Sequence, residues 1–430
     1  MTAITAFAGR VPQYNPMTMR LLGTALLLSL TAPQLPAQAP DFRGSFTAPL
    51  DAPGLRYADA PKEDAVARLM GRLERGEVKL AWDAKFGYLP AVLKALGIPV
   101  ASQGLVFSKT SFQLARISPE TPRAIYFNED AYVGFVPGGD LIELSAADPE
   151  RGGMFYSLEQ KQEAKPAIQR REECLQCHAS PMTTGVPGHF VRSVRTDEAG
   201  YPLMNESSYV TDHRSPWPER WGGWYVTGAP AEMKHMGRTG TKGFDTSRYL
   251  AAQSDVVALM VLEHQTKMHN LLARAGFEAR SALLVQAEMN AALKRPADEL
   301  SESNARRLDH AAEIVTRYML FADEARLPAP VRAAPEFAKS FAAQGPRDGS
   351  GRSLRELDLK TRIFKYPCSY VIYSQDFARL PEPLKKRILE RVDAVLTGKD
   401  KDPAYAGLSE EDRKNVREIL AATLTARRSE

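Results

Sequence analysis

The pentapeptide Cys174-Leu175-Gln176-Cys177-His178 constrains this chain more than any other feature. Each residue type in Cys-x-x-Cys-His has its own chemical task. The thiols add across the two vinyl groups of a haem, the two-residue spacer lets both sulfurs reach one porphyrin edge, and the next imidazole turns toward the iron. With 3 cysteines and 7 histidines in 430 residues, random order supplies about 0.0003 such motifs per chain, so chance is a poor explanation. A redox disulfide of the same spacing opens a helix in a βαβ setting, which these flanks lack. A zinc site needs two further Cys or His ligands, and no second cysteine pair exists. The reading is one covalent haem c on Cys174 and Cys177, with His178 as proximal axial ligand to the iron.

The N-terminus agrees with that chemistry. Leu21 to Leu30 form an apolar stretch behind Arg20, followed by Pro33, Pro36 and the small-residue triplet Ala37-Gln38-Ala39. Residues 1–39 therefore read as a signal peptide, with Met17 or Met19 competing with Met1 as the start. Export to the periplasm or beyond is expected, and thioether attachment of haem in bacteria takes place outside the cytoplasmic membrane. Exported cysteines otherwise pair as disulfides. No later run reaches the roughly 18 apolar residues of a membrane helix, so no integral span is expected in the mature chain. The formal charge is +4 and the basic runs Lys385-Lys386-Arg387 and Arg427-Arg428 are short, which argues against nucleic-acid binding. The partner expected is a redox protein or a small redox molecule.

Hydrophobic patterning gives an α+β chain, with a β-rich haem-bearing region packed against a mainly helical C-terminal half. Residues 40–245 open with helical spacing at Val66, Leu69, Met70 and Leu73 and a short helix at Leu89 to Leu96. Short β-branched and aromatic runs follow, such as Ala124-Ile125-Tyr126-Phe127, Tyr132 to Val136 and Leu141 to Leu144, separated by turns such as Pro137-Gly138-Gly139. A charged helix is expected from Leu158 to Glu173, leading into the motif. Residues 246–326 read as helical, 327–351 as a Pro/Gly-rich linker, and 352–430 as a C-terminal helical region.

The second axial ligand decides between electron carriage and chemistry at an open iron. On the stripe Val257, Val261, His264, Met268 and Leu271, His264 points with the apolar face and is the leading distal candidate. His235 is the alternative, His213 and His189 rank below it, and Met233 or Met236 offers a thioether. A core histidine bonded to a carbonyl is the commoner use of such a residue. The segment from Asp212 to Tyr225 holds Trp217, Trp221 and Trp224 beside Arg214 and Arg220, fit either to wall a porphyrin and pair its propionates or to pack in a core. Arg192 and Arg195 are further propionate candidates, Glu263 reads as part of a solvated helix face, and Cys368 as a buried free thiol.

Together, Cys174 to His178, Gly185-Val186-Pro187-Gly188, the aromatic segment from Arg214 to Gly228, Glu263-His264-Gln265 and Phe364 to Cys368 resemble a group of large bacterial exported proteins described as cytochrome c domain-containing. The resemblance runs through most of the mature chain. It implies covalent haem on Cys174 and Cys177 with His178 as ligand, and implies no particular reaction. The expectation is an exported monohaem c-type cytochrome acting in electron transfer. The alternative is a haem enzyme acting on peroxide or another small oxidant at an open iron site.

Overall fold

Period-two alternation over residues 123–159 builds an antiparallel meander, because each turn is closed by residues that accept the required geometry. The computed structural model describes residues 41–42, 46–58 and 63–426; the signal peptide read over 1–39 lies outside the described residues. In chain order the strands are β1 (Gly104–Val106), β2 (Arg123–Phe127), β3 (Ala131–Phe135), β4 (Leu141–Asp148), β5 (Gly152–Glu159) and β6 (Ile168–Arg170). A separate hairpin follows, β7 (Val191–Val194) with β8 (Ser208–Thr211), and then β9 (Trp224–Val226) and β10 (Arg238–Thr239). The main sheet has eight strands in the order β10-β9-β1-β2-β3-β4-β5-β6, antiparallel throughout except for β9–β10.

The two faces of this sheet have different fates. One buries Ala124, Tyr126, Val133, Leu144, Ala146, Met154, Tyr156 and Leu158 under α1 (Ala65–Glu74) and α2 (Leu89–Leu96). Asp64 caps α1 by accepting from the backbone N–H groups of Val66 and Ala67, and its other oxygen accepts from the Tyr156 hydroxyl at 2.5 Å, which ties helix to sheet. The second face carries Tyr132, Gly134, Glu143, Phe155 and Ser157 in register across β3, β4 and β5. Here sit the motif, which forms the single turn α3 (Leu175–His178), and the long α4 (Val256–Leu293).

The 38-residue α4 is buried almost all round over its first two-thirds, as a helix at the centre of a domain must be. It contacts β5 and β7 on the sheet side, and on the other side α5 (Glu302–Met319), α6 (Pro335–Ala342), α7 (Gln375–Ala378) and α8 (Glu382–Leu396). α9 (Glu410–Ala426) packs on α8. The architecture is thus α+β, sheet-rich first and helical after. Among the described residues no helix is long and apolar enough to cross a membrane.

Three local expectations change. Residues 158–173 are not a helix: Leu158 and Glu159 end β5, Ile168–Arg170 form β6, and Pro166 lies in the turn between them. Edge pairing to β5 prevails over a charged, helix-compatible composition. The 327–351 stretch is packed, with α6 inside it and Leu327, Val331, Phe337 and Phe341 buried in the main core. Glu263 is fully buried, paired with the equally buried Arg220 at 3.1 Å. Burial pushes the Glu263 carboxyl up to about 7 against the attraction of Arg220. Arg220 also donates to the carbonyls of His213 and Ser215. Removing it strands a carboxylate in the core. Arg220→Ala is expected to destabilise the fold by about 3–5 kcal/mol, read from urea unfolding, with Glu263→Gln in the same chain recovering part of the loss.

Candidate haem site

The motif folds as one helical turn because Cys174 accepts from the backbone N–H groups of both Cys177 (3.2 Å) and His178 (3.0 Å). Residues three apart on such a turn share a face, which brings the two sulfurs to one side. All three cysteines are free thiols: Cys174 half-buried, Cys177 exposed and Cys368 buried. Burial and the neighbouring Glu143 and Glu173 push the Cys174 thiol up to about 11, and burial alone takes Cys368 up to about 12.

His178 is held by a reciprocal clasp with Gly188. The His178 carbonyl accepts from the Gly188 N–H at 2.8 Å, and the imidazole Nδ1 lies 2.8 Å from the Gly188 carbonyl. A carbonyl only accepts, so Nδ1 carries the proton and Nε2 keeps its lone pair without a protein partner. Phe155 and Phe190 flank the ring with centroids at 4.7 and 4.9 Å. Burial holds its pKa below the ordinary histidine value, so the imidazole is neutral near pH 7, as a metal ligand must be.

The loop that supplies the Gly188 carbonyl is locked on two sides. Gly153 donates its N–H to the Pro187 carbonyl at 2.8 Å. Gly152 has φ +78°, and a Cβ there would run into that same carbonyl. From α4, Asn270 accepts from the His189 N–H at 2.9 Å and donates to the His189 carbonyl at 2.6 Å, and a Cβ at Gly188 would strike its side chain. Gly188, Gly152 and Gly153 are therefore where two backbones and one helix side chain meet within van der Waals contact.

The other histidines have their own surroundings, and the leading distal candidate is already bonded within the helical core. His264 does point into the core from α4, but its Nδ1 meets Nδ1 of His213 at 2.8 Å and its Nε2 meets the Ser369 hydroxyl at 2.8 Å. It stacks on Tyr318 and Phe321 of the helical core. Both nitrogens are engaged and neither faces the motif. His235 lies edge-on to Trp221, at 5.5 Å. His269 pairs with Asp376 at 2.5 Å and with the Glu129 carbonyl at 3.0 Å. His310 meets the edge of Phe42. His189 is buried between Tyr132 and Phe155 with neither ring nitrogen bonded.

The Trp/Arg segment belongs to the core. Trp217, Trp221 and Trp224 are buried, Arg220 serves Glu263, and Arg214 pairs with Asp212 and Asp41. Arg192 donates to Ser208, and Arg195 lies near Glu206 in solvent. Met233 is buried, and the Met236 sulfur accepts from Ser193 at 3.7 Å. Sequence reasoning missed a cluster on the open sheet face beside the motif. Arg123 pairs with Glu143 at 2.5 Å, while Ser111 and Gln113 donate to the other Glu143 oxygen at 3.3 and 3.2 Å. Its members come from three separated segments, so no spacing announced it.

Two thiols on one turn and a neutral imidazole with its far nitrogen free are the donor set a covalent haem needs. Among the described residues no group of three or more His, Cys, Asp or Glu is arranged for a metal ion. Compared with protein-family models, curated proteins and solved structures, the chain shows no match.

The three thiols should react in the order of their surroundings. In haem-free protein at pH 8, iodoacetamide followed by mass spectrometry is expected to label Cys177 first and Cys174 several-fold more slowly, with Cys368 reacting only after unfolding.

Proposed function

We propose that the chain is an exported monohaem c-type cytochrome, periplasmic or secreted, that passes single electrons between a redox partner protein or small redox molecule and its haem c. The observation that carries this reading is the His178–Gly188 clasp. A histidine whose Nδ1–H is fixed to a backbone carbonyl has one tautomer, one ring orientation and a more basic Nε2, which is how proteins prepare an imidazole for a metal. The adjacent free thiols supply the covalent attachment. When bound, the haem supplies a one-electron couple whose potential the ligands and local polarity set.

The chain's own residues do the rest. Phe155 and Phe190 confine the imidazole and keep water from its sides. Asn270 connects the loop that carries the Gly188 carbonyl to the central helix. A second reading, a haem enzyme acting on peroxide or another small oxidant, has one observation in its favour. His264, the leading distal candidate, has its two ring nitrogens bonded to His213 and Ser369.

Co-expressed with a haem-attachment system, the purified chain should give an alkaline pyridine spectrum of one covalent haem per chain. Cys177→Ala should lose one thioether and shift that spectrum; normal maturation with an unchanged spectrum would sink the proposal. Ferrous protein that ignores carbon monoxide supports the carrier, whereas high-spin iron that binds it supports the enzyme. His264→Ala should cost about 1–3 kcal/mol of stability through the stranded His213 and Ser369 and leave the haem spectrum as in wild type.

A further inference from the structure

The orientation of His178 selects one part of the sheet. Nδ1 is anchored at the start of β5, where Gly188 occupies the space a Gly153 side chain would fill, and the ring lies over Phe155, the next residue on that face. Ser157 follows Phe155 on the same face of β5. Ser157 is in register with Glu143 on β4, and Glu143 with Gly134 on β3. Strands lie roughly 4.8 Å apart, so this three-strand row spans roughly 10 Å.

Across the row lies Arg123. Its Cδ would be 3.6 Å from a Cβ at Gly134, and the missing side chain there lets the Arg123–Glu143 pair lie flat on the sheet. One Nη donates to Glu143, which is itself bound by Ser111 and Gln113. The Arg123 Nε–H is buried and has no hydrogen-bond partner. A buried donor of this kind loses the water it had and gains nothing in return.

We propose that Arg123 is the anion-binding residue of the site at His178, offering its unpartnered Nε–H to an anionic group held there. Two sources share that chemistry: a carboxylate of the porphyrin itself, or a small exogenous anion on the iron. The inference rests on the haem reading above. Wild-type protein must first show covalent haem in the pyridine spectrum, and failure at that step counts against the reading rather than against Arg123.

The experiment compares holoprotein of wild type, Arg123→Gln, Arg123→Lys and the charge-neutral double variant Arg123→Gln/Glu143→Gln. It measures the reduction potential at fixed pH, and the azide and carbon monoxide affinities of the ferric and ferrous forms. Losing a cation and its donor should favour ferric iron about tenfold in Arg123→Gln, a fall of about 59 mV for one electron. Arg123→Lys should recover most of it. A fall that persists in the double variant while azide affinity stays within twofold identifies the porphyrin carboxylate as the occupant. Azide binding weakened tenfold or more, with carbon monoxide affinity unchanged, identifies the exogenous anion. Where wild-type ferric protein takes no azide, the potential alone decides. Potential and azide affinity both equal to wild type in fully loaded Arg123→Gln would overturn the proposal.

Discussion

The hydrogen bond between the His178 imidazole and the Gly188 carbonyl is the contact on which the site depends. A histidine on a four-residue helix has little local structure to hold its ring, so its orientation has to come from outside the helix. Gly188 provides it, and the loop is in turn fixed by the Gly152-Gly153 corner of β5 and by Asn270 on α4. The imidazole is thereby positioned by backbone from the sheet and by a side chain from the central helix. Substitution at any of these glycines moves the ring indirectly, through a steric conflict in the main chain.

The same logic runs the length of α4. Glu263, His264, Gln265, His269 and Asn270 are buried within a helix whose remaining residues there are mostly apolar, and each has a defined partner on a different element. Glu263 takes Arg220; His264 takes His213 and Ser369; Gln265 takes Tyr132 and Tyr370; His269 takes Asp376; Asn270 takes His189. A purely apolar helix would pack in several rotations at similar free energy, whereas a mis-rotated α4 would strand five polar groups at a cost of about 1–3 kcal/mol each. The polar run thus sets the register of α4 against β3, the His189 loop and α7 together.

Much of the scaffold could be read along the chain because its signals are local. The helix at Leu89–Leu96, the helices ending in Leu396 and Ala426, and the meander from Arg123 to Leu144 follow from periodicity and turn residues. The failures are where tertiary partners outweigh local preference. Residues 158–173 are polar enough for a helix, yet an open β5 edge pairs with Ile168–Arg170. The 327–351 stretch has linker composition, yet Phe337 and Phe341 fill the main core. His264 lies on the apolar stripe as expected, but a stripe says only that a side chain points inward, never what it meets there.

The sequence by itself determined the chemistry of Cys174 to His178, since thiol, thiol and imidazole at that spacing are a property of covalent order. It also determined the α+β class, which rests on periodicities of two and 3.6 residues. Only the tertiary structure decided which nitrogen of His178 is free, what holds the ring, that His264, Glu263 and the tryptophans belong to the core, and that Arg123 and Glu143 lie beside the motif. Those facts are contacts between segments tens to hundreds of residues apart, and no local pattern records which buried polar group will find which partner.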